Sequence, residues 1–292
     1  MSLVSTSELL DAAVASGGAV AGFNVITLEH AEAIADGAGR AGTGAILQLS
    51  ENAIRFHGGD PRPILAGCRA VAEAASVPLA LHLDHIEDAA LIALAIDNAD
   101  AWGLGSIMVD ASRLDYAANV AATADAAHRA HVAGLWVEAE LGEIGGKDGA
   151  HAPGVRTDPD EASAFVRATG VDGLAVAVGS SHAMRERTAG VDTELVARIA
   201  ARVPVPLVLH GSSGVADDVI RAAVTAGIRK VNVGTALNIA ATAAVRATLA
   251  QHPDAVDPRP YTAHAREAMA AVVAHFAGLL ATREMQEFRP HP

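Results

Sequence analysis

Basic side chains are scarce in this chain: 21 Lys and Arg stand against 34 Asp and Glu, a formal charge of -13. A surface so acidic repels polyphosphate over most of its area, which excludes nucleic acid and anionic membrane as partners, although small anions can still be held in local pockets. Cysteine is nearly absent as well. Cys68 stands alone, so no internal disulfide can form. Nowhere do ~18 apolar residues run without a break, because Asp97, Asn98 and Asp100 interrupt the most hydrophobic region. The opening Met1-Ser2-Leu3-Val4-Ser5-Thr6 has neither a basic n-region nor a long apolar core. These absences predict a cytoplasmic protein without a membrane span.

What is present is ample core material, 51% hydrophobic against 19% charged over 292 residues. Short β-like runs alternate with longer helical patterns: Val20 to Val25, Ala45 to Leu49, Leu79 to Leu83, Ser106 to Val109, Leu135 to Glu140, Leu174 to Val178, Leu207 to Leu209, and Lys230 to Val233. The runs are apolar rather than alternating, as parallel strands buried on both faces require. Helix signals lie between them. Asp158-Pro159-Asp160-Glu161 supplies a cap and a first-turn proline, with Gly170 past the end. Strand then helix, eight times, predicts an α/β fold of the (β/α)8 barrel type. Such barrels commonly run to about 250 residues as one unit, so residues 1–292 are expected to form a single domain, with the barrel over about 18–250 and a C-terminal helical extension over about 258–286. In that extension Met269, Val272, Val273, Phe276, Leu279 and Leu280 recur at helical spacing. The Gly-rich stretch from Leu141 to Thr157 exceeds a simple connection and reads as a lid or substrate loop.

Polar residues gather just after the runs: Ser50, Asp84 and His85, Asp110, Glu140, Ser180 to His182, His210 to Gly214, and Asn232 to Thr235. In a (β/α)8 barrel the C-terminal strand ends carry the active site, so residues distant in sequence converge on one mouth. Three of these ends bear a histidine. His85, His182 and His210 make a neutral three-imidazole set that leaves a fourth metal position open, the mark of a catalytic rather than a structural site. Asp84, beside a ligand, can reach a group bound on the metal and act as general acid or base. Asp110 and Glu140 either hold a second metal position or hydrogen-bond the ligating histidines. Glu138 faces the same side as Glu140. His82 shares a strand face with Asp84 and reads as a hydrogen-bonding partner of the ligands rather than a ligand. His30, His57, His128, His131, His252, His264, His275 and His291 read as ordinary surface or core histidines. The loops His210-Gly211-Ser212-Ser213-Gly214 and Asn232-Val233-Gly234-Thr235 follow strands seven and eight, where barrels often bind phosphate through free backbone N–H groups and hydroxyls.

Leu81-His82-Leu83-Asp84-His85, Val137-Glu138-Ala139-Glu140-Leu141-Gly142, Gly179-Ser180-Ser181-His182 and Leu209-His210-Gly211-Ser212-Ser213-Gly214 together resemble the class II, zinc-dependent ketose-bisphosphate aldolases, chiefly those acting on fructose and tagatose bisphosphates. The likeness runs from Gly22-Phe23-Asn24-Val25 to Lys230-Val231-Asn232-Val233-Gly234-Thr235. It implies zinc on His85, His182 and His210, with Asp110 and Glu140 at an alternative metal position. Asp84 becomes the acid/base at the C4 hydroxyl, and Asn24, Ser50, Gly211, Ser213, Asn232 and Thr235 substrate contacts. A carboxylate of the Gly142 to Gly149 loop, Asp148 with Glu143 as alternate, would protonate the enediolate. The resemblance further implies a sugar-phosphate substrate, a monovalent cation near the phosphate, and a homodimer or homotetramer.

The chain departs from that pattern in four places. Asp148 stands where glutamate is usual; Ala183 and Glu186 replace a glycine and a phosphate-binding lysine, leaving Arg185 or Arg187 to supply the charge; and Gly234 replaces an aspartate common in the fructose-specific branch. Fructose 1,6-bisphosphate is the first expectation, ahead of tagatose 1,6-bisphosphate. The rival readings are a zinc hydrolase on the same barrel, which needs no phosphate loops, and a sugar-phosphate-binding protein that has lost turnover.

Overall fold

The structure, a computed structural model, describes residues 2–141, 156–180 and 189–282. Among these, eight parallel strands close into a barrel in sequence order: β1 (Val20–Asn24), β2 (Ala45–Ser50), β3 (Leu79–Ile86), β4 (Ser106–Val109), β5 (Trp136–Glu140), β6 (Gly173–Ala175), β7 (Leu207–Leu209) and β8 (Ile228–Val233), with β8 returning to pair with β1. The chain is therefore a (β/α)8 barrel with an additional C-terminal helix, Pro258–Leu280, as its pattern of apolar runs predicted.

Alternation along each strand sends one set of side chains outward beneath the helices and the other inward. The outward set, including Phe23, Leu47, Leu81, Ile107, Val137, Leu174, Leu209 and Val231, joins the helical faces in one large apolar cluster. The inward set forms a second, smaller cluster of Val20, Ile46, Ala80, Met108, Trp136, Ala175 and Val208, which Leu9, Leu10 and Ala13 of the helix Thr6–Ser16 complete. That helix opens with a capping box, Ser5 Oγ accepting from Glu8 N–H while Glu8 accepts from Ser5 N–H. Above this apolar plug the interior turns polar. Gln48, His82, Glu138 and Lys230 are wholly buried at inward positions; Lys230 and Glu138 pair with each other, while the Gln48 amide has no hydrogen-bond partner among the described residues.

Glycine appears where the interior leaves no room. A Cβ on Gly22 would stand 1.9 Å from Gln48 Oε1, and one on Gly37 would stand 2.4 Å from Ala270 O, where the helix Leu28–Ala41 packs along Pro258–Leu280. Both close approaches depend on the missing side chain.

The third strand runs further than its apolar pattern predicted, through Asp84 and His85 to Ile86 rather than stopping at Leu83. Its register with β4 shifts between Leu83 and Ile86, and His85 takes φ 50°, the one non-glycine residue at positive φ among the described residues. On a regular strand consecutive side chains point to opposite faces. The bulge overrides that rule and lets Asp84 and His85 serve the same mouth.

Gly22→Ala is expected to displace Gln48 and to cost about 1–3 kcal/mol of stability by overpacking, measured by urea unfolding. An unchanged midpoint would show that the barrel interior yields at this point.

Candidate active site at the C-terminal mouth

The structure brings Asn24 (end of β1), Asp84 and His85 (β3), Asp110 (just after β4), Glu140 (β5), His210 (just after β7) and Asn232 (β8) to one end of the barrel. Two groups of donor atoms lie mutually within 4.8 Å: Asp84, His85 and His210 in one, and His85, Asp110 and Glu140 in the other. His182 and Asp148 lie outside the described residues, as do Glu143, Arg185, Glu186 and Arg187.

Each imidazole is oriented by a carboxylate. His85 Nδ1 is 2.7 Å from Asp110 Oδ2, and His210 Nε2 is 2.8 Å from Glu138 Oε1. A carboxylate oxygen only accepts, so the ring nitrogen facing it carries the proton and the other nitrogen of a neutral ring carries the lone pair. That leaves the lone pairs of His85 Nε2 and His210 Nδ1, which face each other across 2.8 Å. Either a further proton on one ring bridges the two nitrogens, or both turn lone pairs toward a shared cation. The two imidazoles fit a divalent metal such as zinc, and Asp84, within 4.8 Å of both, lies beside that position.

Asp84 is itself held from two sides. Asn24 Nδ2 donates to its Oδ2 at 2.9 Å, and the Asn232 amide nitrogen is 3.5 Å from its Oδ1 and 3.1 Å from His210 Nε2. Burial pushes its carboxyl up, but the imidazoles of His85, His210 and His82, in their protonated form at low pH, together with Lys230 hold it down at about 2. It is therefore a carboxylate at neutral pH, able to accept a proton. Burial drives His210 down as well, opposed by its hydrogen bond to Glu138.

Asp110 and Glu140 lie on the Nδ1 side of His85, at 2.7 and 4.0 Å. Asp110 also accepts from Ser112 Oγ at 2.6 Å. As an anchored acceptor it does what the sequence left as one of two options, orienting the histidine. His82 differs from expectation: its Nδ1 pairs with Ser106 Oγ at 2.8 Å, which in turn meets Thr6 Oγ1 at 2.6 Å, and its Nε2 lies 3.9 Å from Glu138 Oε2. It reaches the metal-side histidines only through Glu138.

The remaining residues shape the rim. Ser50 caps the helix Glu51–Phe56, its Oγ accepting from Ala53 N–H at 3.2 Å. Gly211 sits at φ 67° and opens the short turn Ser212–Gly214, and Ser213 Oγ accepts from Ala236 N–H at 3.2 Å, tying the β7 loop to the helix Thr235–Gln251. Thr235 begins that helix. Lys230 is the residue whose part the sequence reading missed: its Nζ donates to Glu138 Oε2 at 2.7 Å, and it is fully buried. Its alternation with Asn232 along β8 was the available signal.

Burial holds His82 down at about 3, aided by Lys230 and opposed by Glu138. The unfolded chain takes this proton near the ordinary value of 6.5, the folded chain not until about 3. More protons are thus bound by the unfolded state across that window, and stability falls as pH falls through it. In metal-free protein His82→Gln is expected to remove on the order of 2 kcal/mol of the stability lost between pH 6.5 and 5, followed by urea unfolding at each pH. An identical slope in the variant would contradict a neutral buried His82.

Residues 4–284 match the family model for fructose-bisphosphate aldolase class-II. A Bacillus subtilis protein named "Probable fructose-bisphosphate aldolase" is 39% identical over 277 residues, which cover 94% of this chain and 95% of that one. Among solved structures, the YdjI aldolase of Escherichia coli K12 is 31% identical with a TM-score of 0.79, over 95% of this chain and 97% of the other. The fructose-bisphosphate aldolase of Campylobacter jejuni, at 22% identity and a TM-score of 0.81 over 95% of both chains, shares the fold. With its ordered motifs, its barrel and these relatives, the chain belongs to the class-II fructose-bisphosphate aldolase family and is an aldolase, a carbon–carbon lyase.

Proposed function

We propose that the chain catalyses the reversible, zinc-dependent aldol cleavage of a ketose 1,6-bisphosphate, fructose 1,6-bisphosphate first and tagatose 1,6-bisphosphate second, to dihydroxyacetone phosphate and glyceraldehyde 3-phosphate. The observation that carries this is the 2.8 Å approach of His210 Nδ1 to His85 Nε2, with the buried carboxylate of Asp84 within reach of both rings. His182 completes the ligand set in this reading. A bound zinc ion supplies Lewis-acid polarisation of the ketose carbonyl, worth several kcal/mol of barrier.

The chain's own residues handle the protons. Asp84 takes the C4 hydroxyl proton; the O–H electron pair forms the new C4 carbonyl, the C3–C4 bond breaks, and its electrons remain on C3 as the enediolate. Asn24, by donating to Asp84, fixes the carboxylate so that one oxygen stays available to the hydroxyl. A loop carboxylate, Asp148, then returns a proton to C3. The turn Ser212–Gly214 offers backbone N–H groups to a phosphate, and Ser213 ties it to the start of the helix Thr235–Gln251. A zinc hydrolase is the weaker reading, because activating water requires neither these two loops nor an aldolase pedigree.

A coupled assay for triose phosphate release, run on both sugars with a chelator and with zinc restored, is expected to show chelator-sensitive cleavage that zinc recovers. Asp84→Asn is expected to lose about 100-fold to 10000-fold in kcat while still binding zinc. Cleavage that ignores the chelator, or an Asp84→Asn enzyme at full rate, would refute this mechanism.

A further inference from the structure

The proposed reaction leaves the best-buried cation of the barrel without a task. Lys230 is 0% exposed, and so is its partner Glu138. A buried ion pair is poor evidence of a stabilising role, since replacing one by well-packed neutral groups is often neutral or favourable. The geometry around the pair points elsewhere. Glu138 is a bridge: Oε2 receives Lys230 Nζ at 2.7 Å, and Oε1 receives His210 Nε2 at 2.8 Å.

We propose that Glu138 and Lys230 form a positioning pair for the metal site, in which Lys230 claims one carboxylate oxygen and so keeps the other on His210 Nε2, turning the lone pair of His210 Nδ1 toward Asp84 and His85. The direction of each bond carries this. Lysine only donates, so the atom it meets on residue 138 must be an acceptor. With a carboxylate the remaining atom is an acceptor too, and Nε2 must supply the proton. With an amide it is not. In Glu138→Gln, Lys230 takes the amide oxygen and the NH2 is left facing Nε2, which must then offer its lone pair; the ring proton moves to Nδ1, and the metal-facing nitrogen is lost as a ligand. Removing Lys230 as well frees the amide to turn its oxygen to Nε2, and the original tautomer returns.

The inference rests on the metal reading above and makes a prediction that simple loss of packing does not. Zinc affinity, measured by competition with a chromogenic chelator, is expected to fall about 10-fold to 100-fold in Glu138→Gln and to recover most of that loss in Glu138→Gln/Lys230→Met. Long-range 1H–15N spectra of the metal-free proteins are expected to show the His210 proton on Nε2 in wild type and the double variant, and on Nδ1 in the single variant. Should Glu138→Gln fail to fold, a folded double variant within a few-fold of wild-type affinity still supports the pair, and one that binds tenfold or more weakly overturns it. Equal affinity in wild type and Glu138→Gln, or a double variant no better than the single, overturns the pair's role alone. Wild-type protein that takes up no zinc overturns the metal assignment and this role with it.

Discussion

A neutral imidazole has one proton for two nitrogens, and whichever nitrogen meets a carboxylate must hold it. This constraint governs the whole mouth of the barrel. Asp110 draws the proton of His85 to Nδ1 and Glu138 that of His210 to Nε2, so the opposite nitrogens of the two rings meet at one point. The arrangement is maintained by groups that never reach that point: Ser112 holds Asp110, and Lys230 holds Glu138. A barrel interior that places ionisable residues in a dry layer must pair them, and here the pairing determines which atoms remain for chemistry.

The third strand shows how the fold accommodates a demand that regular secondary structure cannot meet. Two consecutive residues, Asp84 and His85, must act at one site, yet a pleated strand sends them to opposite faces. The shift of register against β4 and the left-handed backbone of His85 resolve the conflict. A non-glycine residue in that conformation carries on the order of 1–3 kcal/mol of strain, which the flanking barrel hydrogen bonds sustain.

Much of this was legible from residues alone because the periodicity was simple. Eight apolar runs marked eight strands, and the polar residues at their ends marked the mouth, since a buried strand gives way to ionisable groups only where it opens on a site. What was not legible depends on contacts between strands distant in sequence. The bulge in β3 left no trace in a run that reads Leu-Asp-His-Ile. Lys230 stood beside Arg229 at the start of its run, where a cation reads as solvated, and only the closure of β8 against β1, with Glu138 across the interior, gives it a partner. The plug helix Thr6–Ser16 was equally silent, because an amphipathic start to a chain can pack in many places. His82 shares the inward face with Asp84, and its Nδ1 pairs with Ser106, a contact between neighbouring strands that the sequence does not display.

Gly234 leaves the room in which Asn24 reaches Asp84. A Cβ at this position would stand 2.8 Å from Asn24 Oδ1, and Asn24 is the residue that donates to Asp84. Any side chain at 234 therefore has to move Asn24, and moving Asn24 loosens the base. In this chain the room that a carboxylate would occupy is taken by the amide that orients Asp84. From the β8 side the Asn232 amide nitrogen also comes within 3.5 Å of Asp84 Oδ1, so β1 and β8 each bring an amide to the placement of this carboxylate.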